Sequence, residues 1–211
     1  MDDIPYVPAT FMFFSRSADV APGLGAEESI HPDDVVVYAP LRNTPKWRQV
    51  LSNFAPARFT QDGFTWNSAE HYFHAQKYRT SHPDYFRKFA IESGDPLATA
   101  AGADVRKAGR AVKMTQDAIE IWSGGKSTAV IFVAQLAKFR QNADVREILI
   151  ATRDAVLKHK ASFRDPVVIE HNLMLVREVM KWEHLGVPLS DADQVRWNLM
   201  RDHCANYGHV I

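Results

Sequence analysis

Hydrophobic positions follow two regimes along the chain. Before about residue 66 they come in short bursts: "FMFF", Phe11 to Phe14, and "VVVYA", Val35 to Ala39, each predict a strand. The Gly-, Pro- and acid-rich "APGLGAEESIHPDD", Ala21 to Asp34, lies between them and predicts a loop. "ARFTQDGFTW", Ala57 to Trp66, predicts a hairpin, because Asp62-Gly63 supplies the positive φ angles of a tight primed turn. From Asn67 the period lengthens, and helices are expected at about 68–79, 83–92, 96–109, 115–122, 126–142, 144–159, 167–185 and 190–205. Ser190 with Asp193 opens the last of these, and Gly186 followed by Pro188 closes the one before it. Strands in front and helices behind predict an α+β fold, predominantly helical, with a small N-terminal β-sheet or hairpin.

The chain has 211 residues, 46% of them hydrophobic, which suits a single domain with a sizeable core. Twenty-five basic and 25 acidic side chains cancel, so strong non-specific nucleic-acid binding is not expected and any phosphate binding must be local. The lone cysteine, Cys204, rules out an internal disulfide and suits a reducing compartment. "MDDIPY" carries no apolar signal segment, and the longest apolar run, "TAVIFVAQLA", is too short to span a bilayer. A cytoplasmic protein with no membrane partner is the expectation.

Against this background "WNSAEHYFHAQKY", Trp66 to Tyr78, is unusual, with one acid, two histidines, a lysine and four aromatics. Asn67 followed by Glu70 is the pattern of a capping box, which accounts for both residues without any function. Helical geometry gives a competing account. Glu70, Phe73, His74 and Lys77 share one face, and at ~1.5 Å per residue Glu70 and Lys77 lie roughly 10 Å apart. That is too long for a helical ion pair but matches a sugar held at one end and a phosphate at the other. A solvated face does not normally carry Phe73, and a core face does not normally carry Glu70 and Lys77; a cleft wall accommodates all of them. Tyr72, Ala69 and Gln76 are expected to face the core.

Other motifs weigh less. "SGGKST" ends like a phosphate-binding loop, but Glu120 stands where that pattern needs glycine, so a helix–helix turn is expected. His71 and His74 lack the spacing of a zinc helix, and the nine histidines are scattered, so no metal site is expected. In "WRQVLSNF", Asn53 either ends a short helix or offers amide hydrogen bonds to a ligand beside the aromatic wall of Phe54.

The segments "LSNF", "DGFTWNSAEHYFHAQKY", "AGRAVK" and "AQLAKFRQNADVREILIATRDAVL" occur in that order across about Phe13 to Leu157. Together they resemble the NADAR (YbiA-like) family, whose opening F-Y-S segment is matched by "FFSRSAD" and whose closing helix by "NLMLVREVM". The resemblance implies a single domain over 1–211, with a core at about 11–181, an inserted loop at about 17–46 and an extra helical tail at about 182–211. It implies hydrolysis of N-glycosidic bonds in ribosylated nitrogen compounds: ADP-ribosylated guanine, or a ribosylamino-pyrimidine phosphate of the riboflavin pathway. No cofactor is implied. The partner is a phosphorylated ribosyl small molecule or an ADP-ribosylated base.

Residue by residue, the family's catalytic glutamate falls on Glu70, its helix lysine on Lys77, its SNF asparagine on Asn53 and a pocket tryptophan on Trp122. Asp165 takes the place of the family's aspartate, one position out of register and without the Trp-Gly that should follow. Such a site would stabilise an oxocarbenium-like state with Glu70, which also activates water. Lys77 would hold a phosphate or the leaving base, or act as a Schiff-base nucleophile. Trp66, Phe73 and Trp122 would stack on the base, with His74 beside them; Arg16 would clamp the phosphate, and Ser15 next to it would also bind substrate. The altered segment at 159–166 motivates the alternative, a non-catalytic ADP-ribose or nucleotide-binding module.

Overall fold

A computed structural model describes residues 7–160 and 165–211. The "MDDIPY" opening and residues 161–164 of the altered 159–166 segment therefore lie outside the described residues. The elements run β1 (Thr10–Phe13), α1 (Ala39–Arg42), α2 (Trp47–Leu51), β2 (Phe59–Gln61), β3 (Phe64–Trp66), α3 (Ala69–Gln76), α4 (Pro83–Arg87), α5 (Gly102–Ala108) and α6 (Gln116–Ile121). They continue with α7 (Ser127–Gln141), α8 (Ala143–Ala151), β4 (Val156–His159), β5 (Val168–Ile169), α9 (His171–Leu185) and α10 (Asp191–Asn206). The fold is α+β and mainly helical, as expected. Among the described residues no helix is long and apolar enough to cross a membrane.

The predicted hairpin forms: Phe59 pairs with Trp66 and Gln61 with Phe64, and Asp62 and Gly63 take φ of 55° and 79°. Two expectations fail. "VVVYA" is not a strand; Val35 and Val36 are exposed in turns that follow a 3-10 turn at Pro32–Asp34, and no neighbouring strand satisfies their backbone. Strand formation is also not confined to the front of the chain. The helix expected at 144–159 stops at Ala151, and Val156–His159 forms the central strand of a three-stranded sheet. That strand is parallel to β1, with Phe11 opposite Leu157 and Phe13 opposite His159, and β5 joins it antiparallel. Arg153 makes the break with φ 49°, without the Gly or Pro that normally signals one. Tertiary pairing, not local propensity, decides this segment.

Helix α7 runs through the centre and is buried on nearly all sides, Lys138 and Gln135 included. Lys138 is fully buried, and its Nζ donates to the carbonyls of Val50 (2.7 Å) and Ser52 (2.9 Å). Gln135 Nε2 donates to Asn53 Oδ1 at 3.2 Å. The central helix thus fixes the chain from Val50 to Asn53, which in turn meets the start of α3. At the far end of the chain, α10 packs on α7 and α9. There His203 Nε2 lies 3.0 Å from Gly125 O, and Tyr207 donates its hydroxyl proton to Gly124 O at 3.1 Å. These contacts clasp the Trp122–Lys126 turn between α6 and α7, the helix–helix turn expected of "SGGKST".

The buried Lys138 gives a pH signature. Burial pushes its ammonium down to about 7, whereas in the unfolded chain it titrates near 10.5. The folded state then holds fewer protons than the unfolded state between those values, so stability rises with pH across that window. Comparing urea unfolding of wild type and Lys138→Met from pH 7 to 10 should give a difference that grows by about 1 kcal/mol per pH unit. Parallel pH dependences in the two proteins would show that Lys138 stays protonated in the fold.

Candidate functional site

The site begins where α3 begins. The capping box expected of Asn67 and Glu70 does not form. Ser68 is the N-cap, with no side-chain hydrogen bond to the helix backbone, and its Oγ instead lies 2.8 Å from His71 Nδ1. The Glu70 amide donates to the carbonyl of Asn53 at 3.0 Å, so a distant loop satisfies this helix-start donor. The Glu70 carboxylate is thereby free to turn along the helix. Its side chain is about 10% exposed, and Oε1 lies 2.8 Å from His74 Nε2.

His74 continues the connection: Lys77 Nζ lies 3.0 Å from its Nδ1. An ammonium can only donate, so Nδ1 accepts from Lys77 and Nε2–H donates to Glu70. Burial keeps the imidazole neutral by lowering its pKa, with Lys77 and Arg110 adding to that and Glu70 opposing it. Glu70 and Lys77 do not wait at the two ends of an empty span, as helical geometry alone suggested; one imidazole joins them. Lys77 also lies 5.4 Å from the Phe73 ring centroid and 5.6 Å from that of Trp122, the two rings being 5.0 Å apart at 62°. Burial first, then the charges of Arg110 and Arg106, hold the Lys77 amine below its usual range, with Glu70 pulling the other way.

Gly109 closes the third side, and its carbonyl accepts from Tyr78 Oη at 2.9 Å and from Lys77 Nζ at 3.4 Å. Its φ of −62° is ordinary, so the need for glycine is steric: a Cβ there would sit 2.0 Å from His74 Nδ1. Gly109→Ala should displace the imidazole, break the Glu70–His74–Lys77 chain and cost about 1–3 kcal/mol of stability by overpacking. Chemical unfolding and the His74 ring signals in NMR check this; an unshifted His74 would show that the 109 backbone yields instead.

The fourth side comes from the sheet. His159, opposite Phe13, lies with Nδ1 3.5 Å from Glu170 Oε1 and its ring 5.6 Å from that of Phe13. Burial lowers the His159 pKa, Glu70 opposes that and Arg106 reinforces it, while burial raises the Glu170 pKa. The Glu70 charge is therefore felt by the imidazole at the C-terminal end of β4.

The structure gathers Glu70, Phe73, His74, Lys77 and Trp122, and places Asn53 at the first turn of α3. Phe54 packs beside α5, where a Cβ on Gly102 would approach its Cγ to 2.6 Å. Trp66 requires a correction. It is fully buried, donates its indole N–H to Gln61 O at 3.0 Å and packs against Tyr72 and Phe86, so it cannot stack on a ligand. Tyr72, Ala69 and Gln76 are buried, as expected. Ser15 is half-buried and Arg16 exposed in the turn after β1, and neither is hydrogen-bonded to the Glu70–Lys77 chain among the described residues. Asp165 is exposed and has no such bond either, whereas Glu170, overlooked in the sequence, is the sheltered acid near His159. Gly109, Arg106, Arg110 and His159 were also overlooked; the "AGR" segment was the available signal for Gly109 and Arg110.

Among the described residues no three His, Cys, Asp or Glu side chains gather as a metal ligand set. Two grooves lie elsewhere, one of about 310 Å³ beside Asp19, Arg42 and Trp47 and one of about 520 Å³ beside Tyr38, Arg153 and Lys181. Neither is lined by a histidine, so neither reproduces the buried acid–imidazole–amine arrangement on α3.

N-glycosidase YbiA of Escherichia coli (strain K12) is 35% identical over 107 residues, which is 51% of this chain and 59% of that protein. N-glycosidase YbiA of Shigella flexneri serotype 5b (strain 8401) is 34% identical over the same length and shares. The match thus spans less than two thirds of these relatives. The NMR structure of Escherichia coli YbiA superposes with a TM-score of 0.48 and 26% identity, covering 68% of this chain and 84% of that one. The NADAR domain family model matches residues 41–201, most of the chain and the whole of α3, and the chain belongs to that family.

Proposed function

We propose that this protein hydrolyses the N-glycosidic bond of a ribosylated nitrogen compound, with Glu70 as the acid that acts on the sugar. The observation that carries the reading is the Glu70–His74–Lys77 chain, its acid and imidazole buried, beside the Phe73–Trp122 pair. Membership of a family whose curated relatives are named N-glycosidases supports it. Departure of the base leaves positive charge on the ribose ring, and an ionised carboxylate beside the anomeric carbon stabilises it. The same carboxylate takes a proton from the attacking water, so the ribose gains hydroxide and the base leaves with a proton. His74, donating to Glu70, fixes the carboxylate's orientation, and the Phe73–Trp122 pair offers aromatic surface to the base.

Lys77 supports a second route. Its depressed pKa makes a neutral amine more accessible, and such an amine can add to C1 of the ribose, expel the base and leave a Schiff base for water to cleave. Borohydride trapping of a sugar–protein adduct distinguishes the routes.

The substrates to offer are ADP-ribosylated guanine and ribosylamino-pyrimidine phosphates, with mass spectrometry detecting free base and free sugar. Release of base by wild type is the expected result. Tight binding of ADP-ribose with no product from any substrate would make the protein a binding module instead.

A further inference from the structure

The groove of about 520 Å³ is walled by three parts of the chain that only the fold brings together. Asp34 and Val37 come from the segment before α1, Ile150 and Arg153 from the end of α8 and the turn after it. Lys181, Leu185 and Val187 come from the end of α9 and the residues that follow. The volume is that of a small-molecule site. Asp34 and Val37 precede residue 41, where the match to the family model begins, so one wall lies outside that match. Leu185 and Val187 are 56% and 46% exposed here, and Val37 and Ile150 are half-buried. Apolar surface gathered in a groove and left to water marks a place for a ligand.

Four charged side chains line the groove: Asp34, Arg153, Asp154 and Lys181. Lys181 is engaged, since Nζ donates to Arg153 O at 3.0 Å and pairs with Glu178 at 3.0 Å and Asp154 at 3.5 Å. Asp34 and Arg153 are held near one another through Val37. The Val37 amide donates to Asp34 O at 3.0 Å, and Arg153 Nε donates to Val37 O at 3.2 Å. Yet among the described residues the two side chains form no ion pair, with each other or with any third group. Asp34 Oδ2 is shut off from solvent with no donor, and the two Nη nitrogens of Arg153 have no acceptor. Arg153 also holds φ 49°, a strained setting for a residue with a side chain, and Lys181 pins the same carbonyl. With Nε tied to Val37, the Nη fork is the part of the guanidinium left for a ligand.

We propose that this groove binds a free α-amino acid with a large apolar side chain. The α-carboxylate meets the Nη fork of Arg153, the α-ammonium meets Asp34, and the side chain lies along Ile150, Leu185 and Val187. An acid and a base held close but unpaired are complementary to a zwitterion; a ligand with one charge leaves the other group unmet. The proposal is independent of the hydrolase reading, because the groove shares no residue with the Glu70–His74–Lys77 chain.

The test is NMR titration of the full chain with L-phenylalanine, beside phenethylamine, which lacks the carboxylate, and phenylpropionate, which lacks the ammonium. L-phenylalanine should bind and shift the signals of Val37, Ile150, Leu185 and Val187, not those around Trp122. Each analogue should bind roughly tenfold more weakly. Asp34→Asn should weaken L-phenylalanine roughly tenfold and leave phenylpropionate no weaker. Its melting temperature should match wild type, since the Asp34 carboxylate holds no hydrogen bond in the fold. Arg153→Gln should do the converse, weakening L-phenylalanine a few-fold, because the arginine is exposed, and leaving phenethylamine no weaker. Asp84→Asn, the same charge change at an exposed position on α4, should leave every affinity unchanged. Absence of saturable L-phenylalanine binding overturns the proposal. Equal affinities for the amino acid and both analogues overturn it too, as do shifts centred on Trp122 or a loss matched by Asp84→Asn.

Discussion

Glu70→Gln is expected to lower turnover of a ribosylated substrate by ~10²-fold or more while leaving the fold intact. The amide oxygen of glutamine can still accept from His74 Nε2–H, so the 2.8 Å contact has a neutral substitute and the helix keeps its Asn53 cap. What disappears is the carboxylate charge that faces the positive ribose ring as the base departs, and the oxygen that takes a proton from water. Single-turnover kinetics beside thermal melting separates these effects: a large fall in rate with a melting temperature within a degree or two of wild type is the expected pair. Equal rates in the two proteins would remove Glu70 from the chemistry.

Glu28→Ala is expected to cost about 3–5 kcal/mol of folding stability, because it strands a buried cation. The Glu28 side chain is fully buried and accepts from Arg48 Nε and Nη2, each at 2.6 Å. It also accepts from the amides of Met12, Gly23 and Gly25, each at 3.1 Å. Arg48 in turn donates to the carbonyls of Ala18, Val20 and Ala21 and lies 4.3 Å from the Trp47 ring centroid. One ion pair therefore organises the segment from Ala18 to Glu28 against β1 and α2. Removing the acid leaves a guanidinium in the interior and three amides without an acceptor. Denaturant midpoints of wild type, Glu28→Ala and the double variant Glu28→Ala/Arg48→Met measure this. The double variant should be the less damaged, since it removes the stranded charge. A loss under 1 kcal/mol in the single variant would mean that the loop opens and lets water reach Arg48.

Much of the helical part was legible because its apolar spacing is long and regular, and Asp62-Gly63 announced its hairpin through backbone chemistry alone. The sheet was not legible. Val156–His159 is short, carries Lys158 and His159, and follows a left-handed Arg153 with no glycine to mark it; only pairing with β1 makes it a strand. The valines at 35 and 36 gave the reverse error, strand formers with no partner. At the site, the face of α3 was legible because helical period fixes which residues share it. The role of His74 as the link between Glu70 and Lys77 was not, since rotamers decide it. Trp66 was misplaced because an aromatic beside a polar helix looks the same in sequence whether it faces a ligand or the core. Arg106 and Arg110 were passed over because α5 meets α3 only in three dimensions.

The clasp of His203 and Tyr207 on the Gly124–Gly125 carbonyls ties the last turns of the polypeptide to the loop that begins with Trp122. The Phe73–Trp122 pair is consequently moored by side chains some eighty positions further along the chain. A purification handle, a truncation or a splice variant that disturbs α10 would be felt first as a loosened indole beside Lys77, long before the central helices noticed.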